Sequence, residues 1–205
     1  LGGIVGAVSE HLTFEVHYQT ALEIALGASS QHIIVEDEKA ATNAIDFLKR
    51  NRAGRATFLP LTTIKARTIS SQNQDIISAS PGFLGMADEL VSFDKRLEAI
   101  FKNLLATTAI FDTVEHARAA ARQVRYQVRM VTLDGTELRT GGSYAGGANR
   151  QNNSIFIKPE LEQLQKEIAD EEESLSTDEA SLKNLQEEMA RLTESLEAIK
   201  SQGEQ

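Results

Sequence analysis

Residues Thr132–Gly147 read TLDGTELRTGGSYAGG, and the rest of the chain is interpreted from this stretch outward. It is entered by a strand (Arg129, Met130, Val131, Leu133), turns at Asp134-Gly135 and returns through Leu138. Asp-Gly between apolar runs signals a hairpin, because glycine supplies the positive φ of a tight turn. The chain then reaches Gly141-Gly142, the spacer Ser143-Tyr144-Ala145, and Gly146-Gly147. Paired glycines are entropically costly to order. Two pairs in seven residues therefore fit either a flexible surface loop or a strand edge stripped of side chains on which a second chain docks.

Upstream, a motif occurs twice. Gly3–Glu15 (GIVGAVSEHLTFE) aligns with Gly82–Asp94 (GFLGMADELVSFD) without a gap, with Gly3/Gly82, Gly6/Gly85, Glu10/Glu89 and Phe14/Phe93 identical. Similar elements follow each copy. After the first come a helix from Val16 to Gly27 (stripe Tyr18, Ala21, Leu22, Ala25, Leu26), a strand Ile33–Val35, a helix with apolar face Ala41, Ala44, Ile45 and Leu48, and a strand Ala56–Leu59. Acids at Glu36–Glu38 and bases at Lys49-Arg50 suit the dipole of that second helix. After the second copy come a helix Leu97–Leu105, a strand Ala109–Phe111, a helix Val114–Val124 and a strand Tyr126–Leu133. Two related halves imply a pseudo-symmetric mixed α/β domain, with subdomains 1–68 and 82–157. Between them 69–81 (ISSQNQDIISASP), polar and ending in Pro-Gly, reads as a linker.

Ser154–Ile157 reads as a last strand or extended lead-in, and Pro159 as the opening of a helix. From 158 to 205 the apolar spacing is 3-4. Leu161, Ile168, Leu175, Leu182, Met189 and Leu196 form the a positions; Leu164, Leu185, Leu192 and Ile199 form d positions together with charged Glu171 and Asp178. This specifies a coiled-coil segment about 65 Å long. The charged pair and the capping-type residues of Ser176–Glu179 mark 171–179 as a place for a bend or break. One such helix cannot bury its own stripe, so its partner is another helix or another copy of the chain.

The net charge of −9 is unevenly spread: 1–157 carries 16 basic and 16 acidic residues, 158–205 carries 5 and 14. A basic face on the globular part is therefore compatible with the acidic total. Lys49, Arg50, Arg52 and Arg55 cluster near one helix end, while Arg118, Arg122, Arg125 and Arg129 recur at spacings of three to four. Such groups suit phosphate contact. With aromatics at only 5%, contact would be to the backbone and weakly sequence-selective. Catalysis within the segment is not expected. Gly142–Gly147 lacks the Lys-Ser/Thr of a P-loop, no Gly-x-Ser-x-Gly elbow occurs, and His11, His17, His32 and His116 lack metal-ligand spacing. Cysteine is absent, which fits a reducing cytoplasm, and no run is apolar enough to span a membrane. The start at Leu1 rather than Met is expected of an excised segment.

The repeated Gly-hydrophobic-hydrophobic-Gly opening, the block IIVEDEKAATNAIDFLKRNRAGRATFLPL (33–61), the VTLDG and GGSYAGG motifs and the emerging heptads together resemble the hinge of a bacterial SMC (structural maintenance of chromosomes) protein. The resemblance covers residues 1–200. It implies a doughnut-like homodimer in which edge strands of one subdomain pair with the partner's other subdomain. Gly141, Gly142, Ser143, Tyr144, Gly146 and Gly147 would lie at the contact. It also implies a parent chain with an outgoing antiparallel arm helix, ATPase heads that alone use ATP and Mg, accessory condensin subunits, and a cytoplasmic, nucleoid-associated location. No cofactor is expected in this segment. The basic residues themselves give the expected DNA-contact set: Lys49, Arg50, Arg52, Arg55, Arg122 and Arg150. Members often carry a lysine-rich run after the second glycine pair; here Asn149-Arg150-Gln151 supplies a single basic residue, which implies modest DNA affinity. A related architecture joins its arms through a Cys-x-x-Cys zinc hook, which a cysteine-free chain cannot build. The rival reading is a small-ligand- or nucleotide-binding α/β domain with a coiled-coil oligomerisation tail.

Overall fold

The computed structural model describes residues 2–147 and 157–203. Its contacts divide the chain into a unit Leu1–Pro159 and a unit Glu160–Gln205.

The first half of the globular unit contains β1 (Ile4–Ala7), β2 (Leu12–Thr13), α1 (Gln19–Leu26), β3 (Ile33–Val35), α2 (Glu38–Asn51) and β4 (Phe58–Pro60). The second contains α3 (Ser71–Ser78), β5 (Phe83–Met86), β6 (Ser92–Phe93), α4 (Glu98–Leu105), β7 (Thr108–Phe111), α5 (Val114–Gln123), β8 (Arg129–Thr132), β9 (Glu137–Leu138) and β10 (Tyr144–Ala145). One sheet has the order β1-β3-β4 and the other β10-β9-β8-β7-β5.

The repeated motif is a repeat in space. β1 runs antiparallel to β3, which is parallel to β4; β5 runs antiparallel to β7, which is parallel to β8. The register of β1 shifts between Ile4 and Gly6, and that of β5 shifts between Phe83 and Gly85. After each shift the shared glutamate braces the strand end: Ala7 N–H donates to Glu10 Oε2 at 3.0 Å, and Met86 N–H to Glu89 Oε2 at 2.9 Å. The two copies then meet, β2 pairing antiparallel with β6 through Leu12↔Phe93 and Thr13↔Ser92. Local chemistry bounds the crossover helices. Asp37 Oδ1 accepts from Ala40 N at 2.7 Å to open α2, and Thr113 Oγ1 accepts from His116 N at 3.4 Å to open α5.

The largest core is shared by both halves. It joins Ala21, Leu22, Ala25 and Leu26 of α1 and Ile100, Phe101 and Leu105 of α4 to Ile34 and Leu59 of the first sheet and Ile110 and Val131 of the second. α1 and α4 thus fill the space between the sheets. The other face of the second sheet is covered by Ala117, Ala120 and Ala121 of α5 and Ile77 of α3. The other face of the first is covered by Ala40 and Ala41 of α2. Alanines let both crossover helices lie close to their sheets.

Several sequence expectations change. Ile45, expected on the apolar face of α2, is 39% exposed, and Ala40 takes its place against the sheet. The stretch 69–81 is no bare connector: Ser70 caps α3, and Ile77 is fully buried. Its helical signal is weak because Ile76 and Ile77 are the only large apolar residues within α3. The strand expected from Tyr126 begins at Arg129, since Arg125 (φ 53°) and Tyr126 (φ 55°) first make a left-handed turn that stops α5.

α6 spans Ile157–Gly203, with all but its first three residues in the second unit, and is continuous through 171–179. Thr177, a possible cap, instead donates its hydroxyl to Glu173 O at 3.0 Å within the helix. Ile157 is helical rather than extended, and residues 154–156 of the expected strand lie outside the described residues. The helix therefore opens two residues before Pro159, which its first turn tolerates. Leu161, Leu164, Ile168, Leu175, Leu182, Leu185, Met189, Leu192, Leu196 and Ile199 are 49–69% exposed, a stripe with no cover among the described residues. No helix among the described residues is long and apolar enough to cross a membrane.

Candidate interface at the glycine-rich edge

The hairpin read from Asp134-Gly135 joins β8 to β9, with Met130 opposite Leu138 and Val131 opposite Glu137. Its turn is closed by Thr132 N–H to Thr136 O and Gly135 N–H to Thr132 O, both 2.9 Å. The Asp134 carboxylate accepts from the Thr132 hydroxyl and, at 3.1 Å, from Thr136 N–H. These bonds, the Thr132 hydroxyl foremost, hold its pKa below the usual carboxylate range.

After β9 the chain turns again. Arg139 N–H donates to Ser143 O (2.8 Å), Gly142 N–H to Arg139 O (3.0 Å) and Gly141 N–H to Tyr126 O (3.0 Å). Gly141 at φ 85° and Gly142 at φ 95° make this turn in the left-handed region, which explains the first glycine pair. The turn delivers β10, with Tyr144 opposite Leu138 and Ala145 opposite Glu137. β10 is the last strand of its sheet, so one of its hydrogen-bonding edges is unpaired among the described residues. The stretch is therefore an ordered edge.

Gly146 is the informative member of the second pair. Its φ is not positive, and the nearest atoms an added Cβ would meet are those of Thr136, at an ordinary 3.5 Å or more. Nothing within the described chain requires glycine there. Space at Gly141 and Gly147 is also open, with no atom within 4 Å of a built Cβ. Beside them Tyr144 is 48% exposed, its hydroxyl 3.4 Å from that of Tyr126. Sharing this bond holds the Tyr126 phenol below its ordinary pKa, with help from Arg122 and Arg118, and raises that of Tyr144.

Lys49 and Arg50 end α2, and Arg52 and Arg55 lie in the loop that follows; all four are exposed. Arg122 is exposed on α5, in the other half. Since α2 and α5 cover outer faces of different sheets, Arg122 does not extend the cluster at the end of α2. Arg150 lies outside the described residues. Arg129, grouped by spacing with Arg118, Arg122 and Arg125, is not a surface cation of that series. Its Nε donates to Glu137 Oε1 at 2.7 Å, Nη1 to Ala25 O at 2.8 Å and Nη2 to Ile24 O at 2.9 Å. No sequence signal separates it from the other arginines, because its acceptors are backbone carbonyls about a hundred residues away.

Two clefts bear on the ligand-binding alternative. One of about 520 Å³, lined by Arg67, Thr68, Ser70, Asn73, Thr107, Gln127, Arg129 and Thr140 among others, has no carboxylate or histidine in its lining. The other, about 300 Å³, brings together Asp88, Glu89 and Lys102. Burial, then the charge of Glu89, pushes the Asp88 carboxyl above its ordinary pKa. Glu89 already braces Met86 N–H, however, and Lys102 pairs with Glu98 at 2.9 Å. Glu89 and Lys102 thus already serve the fold.

Residues 1–121 match the family model described as SMC proteins Flexible Hinge Domain. The chain belongs to this hinge family. The chromosome partition protein Smc of Bacillus subtilis (strain 168) is 43% identical over 187 residues, 90% of this chain and 16% of that protein. The hinge segment thus spans about a sixth of the curated relative's length. The mixed α/β fold with its long C-terminal helix matches solved SMC hinges. The asymmetric dimer of the Geobacillus stearothermophilus SMC hinge domain aligns with TM-score 0.75 and 39% identity, over 85% of this chain and 70% of that one. The Pyrococcus furiosus Smc hinge domain with an extended coiled coil aligns with TM-score 0.59 and 32% identity, over 90% of this chain and 66% of that one.

Proposed function

We propose that this hinge is the homodimerisation module of a chromosome-partitioning SMC ATPase, with β10 of one copy docking on β4 of another. The observation that carries the reading is Gly146: it directly follows β10, an edge strand unpaired on one side among the described residues, at a position where the described chain's own conformation and packing do not need glycine. Strand addition draws affinity from main-chain hydrogen bonds and needs close backbone approach. β4 is the complementary edge. It ends its own sheet, whereas its counterpart in the other half, β8, is covered by β9. Twofold symmetry makes each such contact occur twice, so two copies joined in this way close on themselves. Gly141, Gly142, Ser143, Tyr144, Gly146 and Gly147 form the docking edge.

The seam of α6 takes the antiparallel arm helix of the same parent chain. ATP and Mg act at the parent's head domains, and this segment itself carries no catalysis and no cofactor. Lys49, Arg50, Arg52 and Arg55, with Arg122 and Arg150, contact DNA backbone weakly and without sequence preference. The parent works on the nucleoid in the cytoplasm with accessory condensin subunits.

The test is the solution mass of the full chain across a dilution series. Gly146→Val is expected to give a folded monomer where the unaltered chain is a dimer. A variant that remained dimeric, and fell apart only when Leu182 and Leu185 became lysine, would assign association to α6 and reject the edge.

A further inference from the structure

A dimer closed by two edge contacts requires β4 and β10 to be held at one fixed separation within each copy. They belong to different sheets in different halves, so something must set that geometry. The β8–β9 hairpin, which carries β10, is fastened to α1 of the first half at both ends. At its turn, Gly135 lies so close to α1 that an added Cβ would stand 2.9 Å from Ile24 Cδ1 and 3.1 Å from Thr20 Cγ2. At its root, the Arg129 guanidinium gives Nη1 and Nη2 to the carbonyls of Ala25 and Ile24, near the C-terminal end of α1, and Nε to Glu137. Val131, between these ends, enters the core shared with α1. Glu137 stands on β9 opposite Ala145 of the edge strand and is also held by Arg139 Nε at 3.2 Å. One side chain therefore ties the C-terminal end of a first-half helix to the strand that supports the docking edge.

The arrangement is matched to its acceptors. The last carbonyls of a helix lack intrahelical partners and carry the negative end of its dipole, so a guanidinium suits them. A rigid planar fork aims three separate nitrogens at the two carbonyls and the carboxylate, whereas an ammonium must reach all three from a single nitrogen.

We propose that Arg129 is the positioning residue for ring closure: it fixes the β10 edge relative to the first half so that both edge contacts of a dimer form together. The inference rests on the dimer reading above. The Arg129 side chain is 27% exposed and takes no part in the docking edge itself. Its loss leaves each edge able to pair but frees their separation, so one contact can hold while the other opens. The second contact then loses the effective concentration that the first one gives it.

The chain has no cysteine, so spin labels can be placed cleanly. The chain labelled at Thr57→Cys, beside β4, is mixed with chain labelled at Thr140→Cys, exposed just before the turn into β10, and the distance between labels is measured in the mixed dimer. The unaltered background is expected to give one short distance. Arg129→Met is expected to add a second, longer population approaching half of the pairs, with dimer affinity weakened at least tenfold and circular dichroism unchanged. Arg129→Lys is expected to give a smaller long population, and it stands in if the Met variant does not fold. A single short distance in folded dimers of the substituted protein would overturn the proposal. An unaltered chain that was monomeric, or showed no short distance, would instead reject edge pairing itself, whatever Arg129 does.

Discussion

The two halves of the globular unit begin alike and end differently. Each starts with a strand whose register shifts beside glycine, a glutamate that braces its end, a short strand that pairs with its counterpart, a helix for the shared core, and a parallel strand pair joined by an alanine-faced helix. The first half stops at β4, whose outer edge is unpaired among the described residues; the second adds β9 and β10. A duplicated unit with identical ends would present identical edges. The added hairpin makes them unlike, and unlike edges in one chain are what a closed, twofold pairing between copies uses. The differences therefore lie at the edges and the likeness lies in the core.

The likeness implies one cooperative unit. Phe101 is fully buried between the sheets and stacks on Phe93 at 4.6 Å. Phe101→Ala is expected to cost about 3–5 kcal/mol. Because the core is shared, thermal unfolding of the globular unit should be a single transition by near-ultraviolet circular dichroism, to which α6, with no aromatic residue, contributes nothing. Two separated transitions would show that the halves are independent domains.

The basic residues sharpen the contrast. Charge reversal at Lys49, Arg50, Arg52 and Arg55 together is expected to flatten the dependence of log K for DNA on log salt by about three to four units, and reversal of Arg122 alone by about one at most. Binding measured between low and moderate salt checks this; an unchanged slope would remove the first-half cluster from the DNA surface. The smallest effect tests the repeat directly. Glu10→Ala and Glu89→Ala each remove one carboxylate-to-backbone bond at a strand end and should each cost about 1 kcal/mol in chemical denaturation. Unequal losses would mean that the two braces have diverged in use.

Much of this was legible in the chain itself. The gap-free alignment of Gly3–Glu15 with Gly82–Asp94 gave two corresponding sets of strands, Asp134-Gly135 gave the hairpin, and the heptads gave a long helix with an unburied stripe, although the bend they allowed at 171–179 is absent from α6. The glycine pairs located the edge but left two meanings open, since a loop and an edge strand have the same composition. The first pair is accounted for by the left-handed turn at Gly141-Gly142; Gly146 is not, and only coordinates distinguish the two. α3 was missed as a helix because its two isoleucines carry too little periodicity. Arg129 was misgrouped because spacing predicts shared faces only within one continuous helix.

What depends on near neighbours along the chain was readable from the residues alone: the turn at Asp134-Gly135, the acidic start and basic end of α2, the repeated strand ends and the heptad stripe. Each is a matter of backbone geometry and hydrogen bonding over a few residues, so the residues that create it are adjacent in the text. The tertiary structure alone decided what depends on contacts between distant segments. These are the pairing of β2 with β6, the placing of α1 and α4 between two sheets, the exposure of Ile45, and the bond from Arg129 to carbonyls 104 and 105 residues away. No local pattern encodes those contacts, because their acceptors are backbone atoms that every residue carries and their partners meet only when the whole core closes.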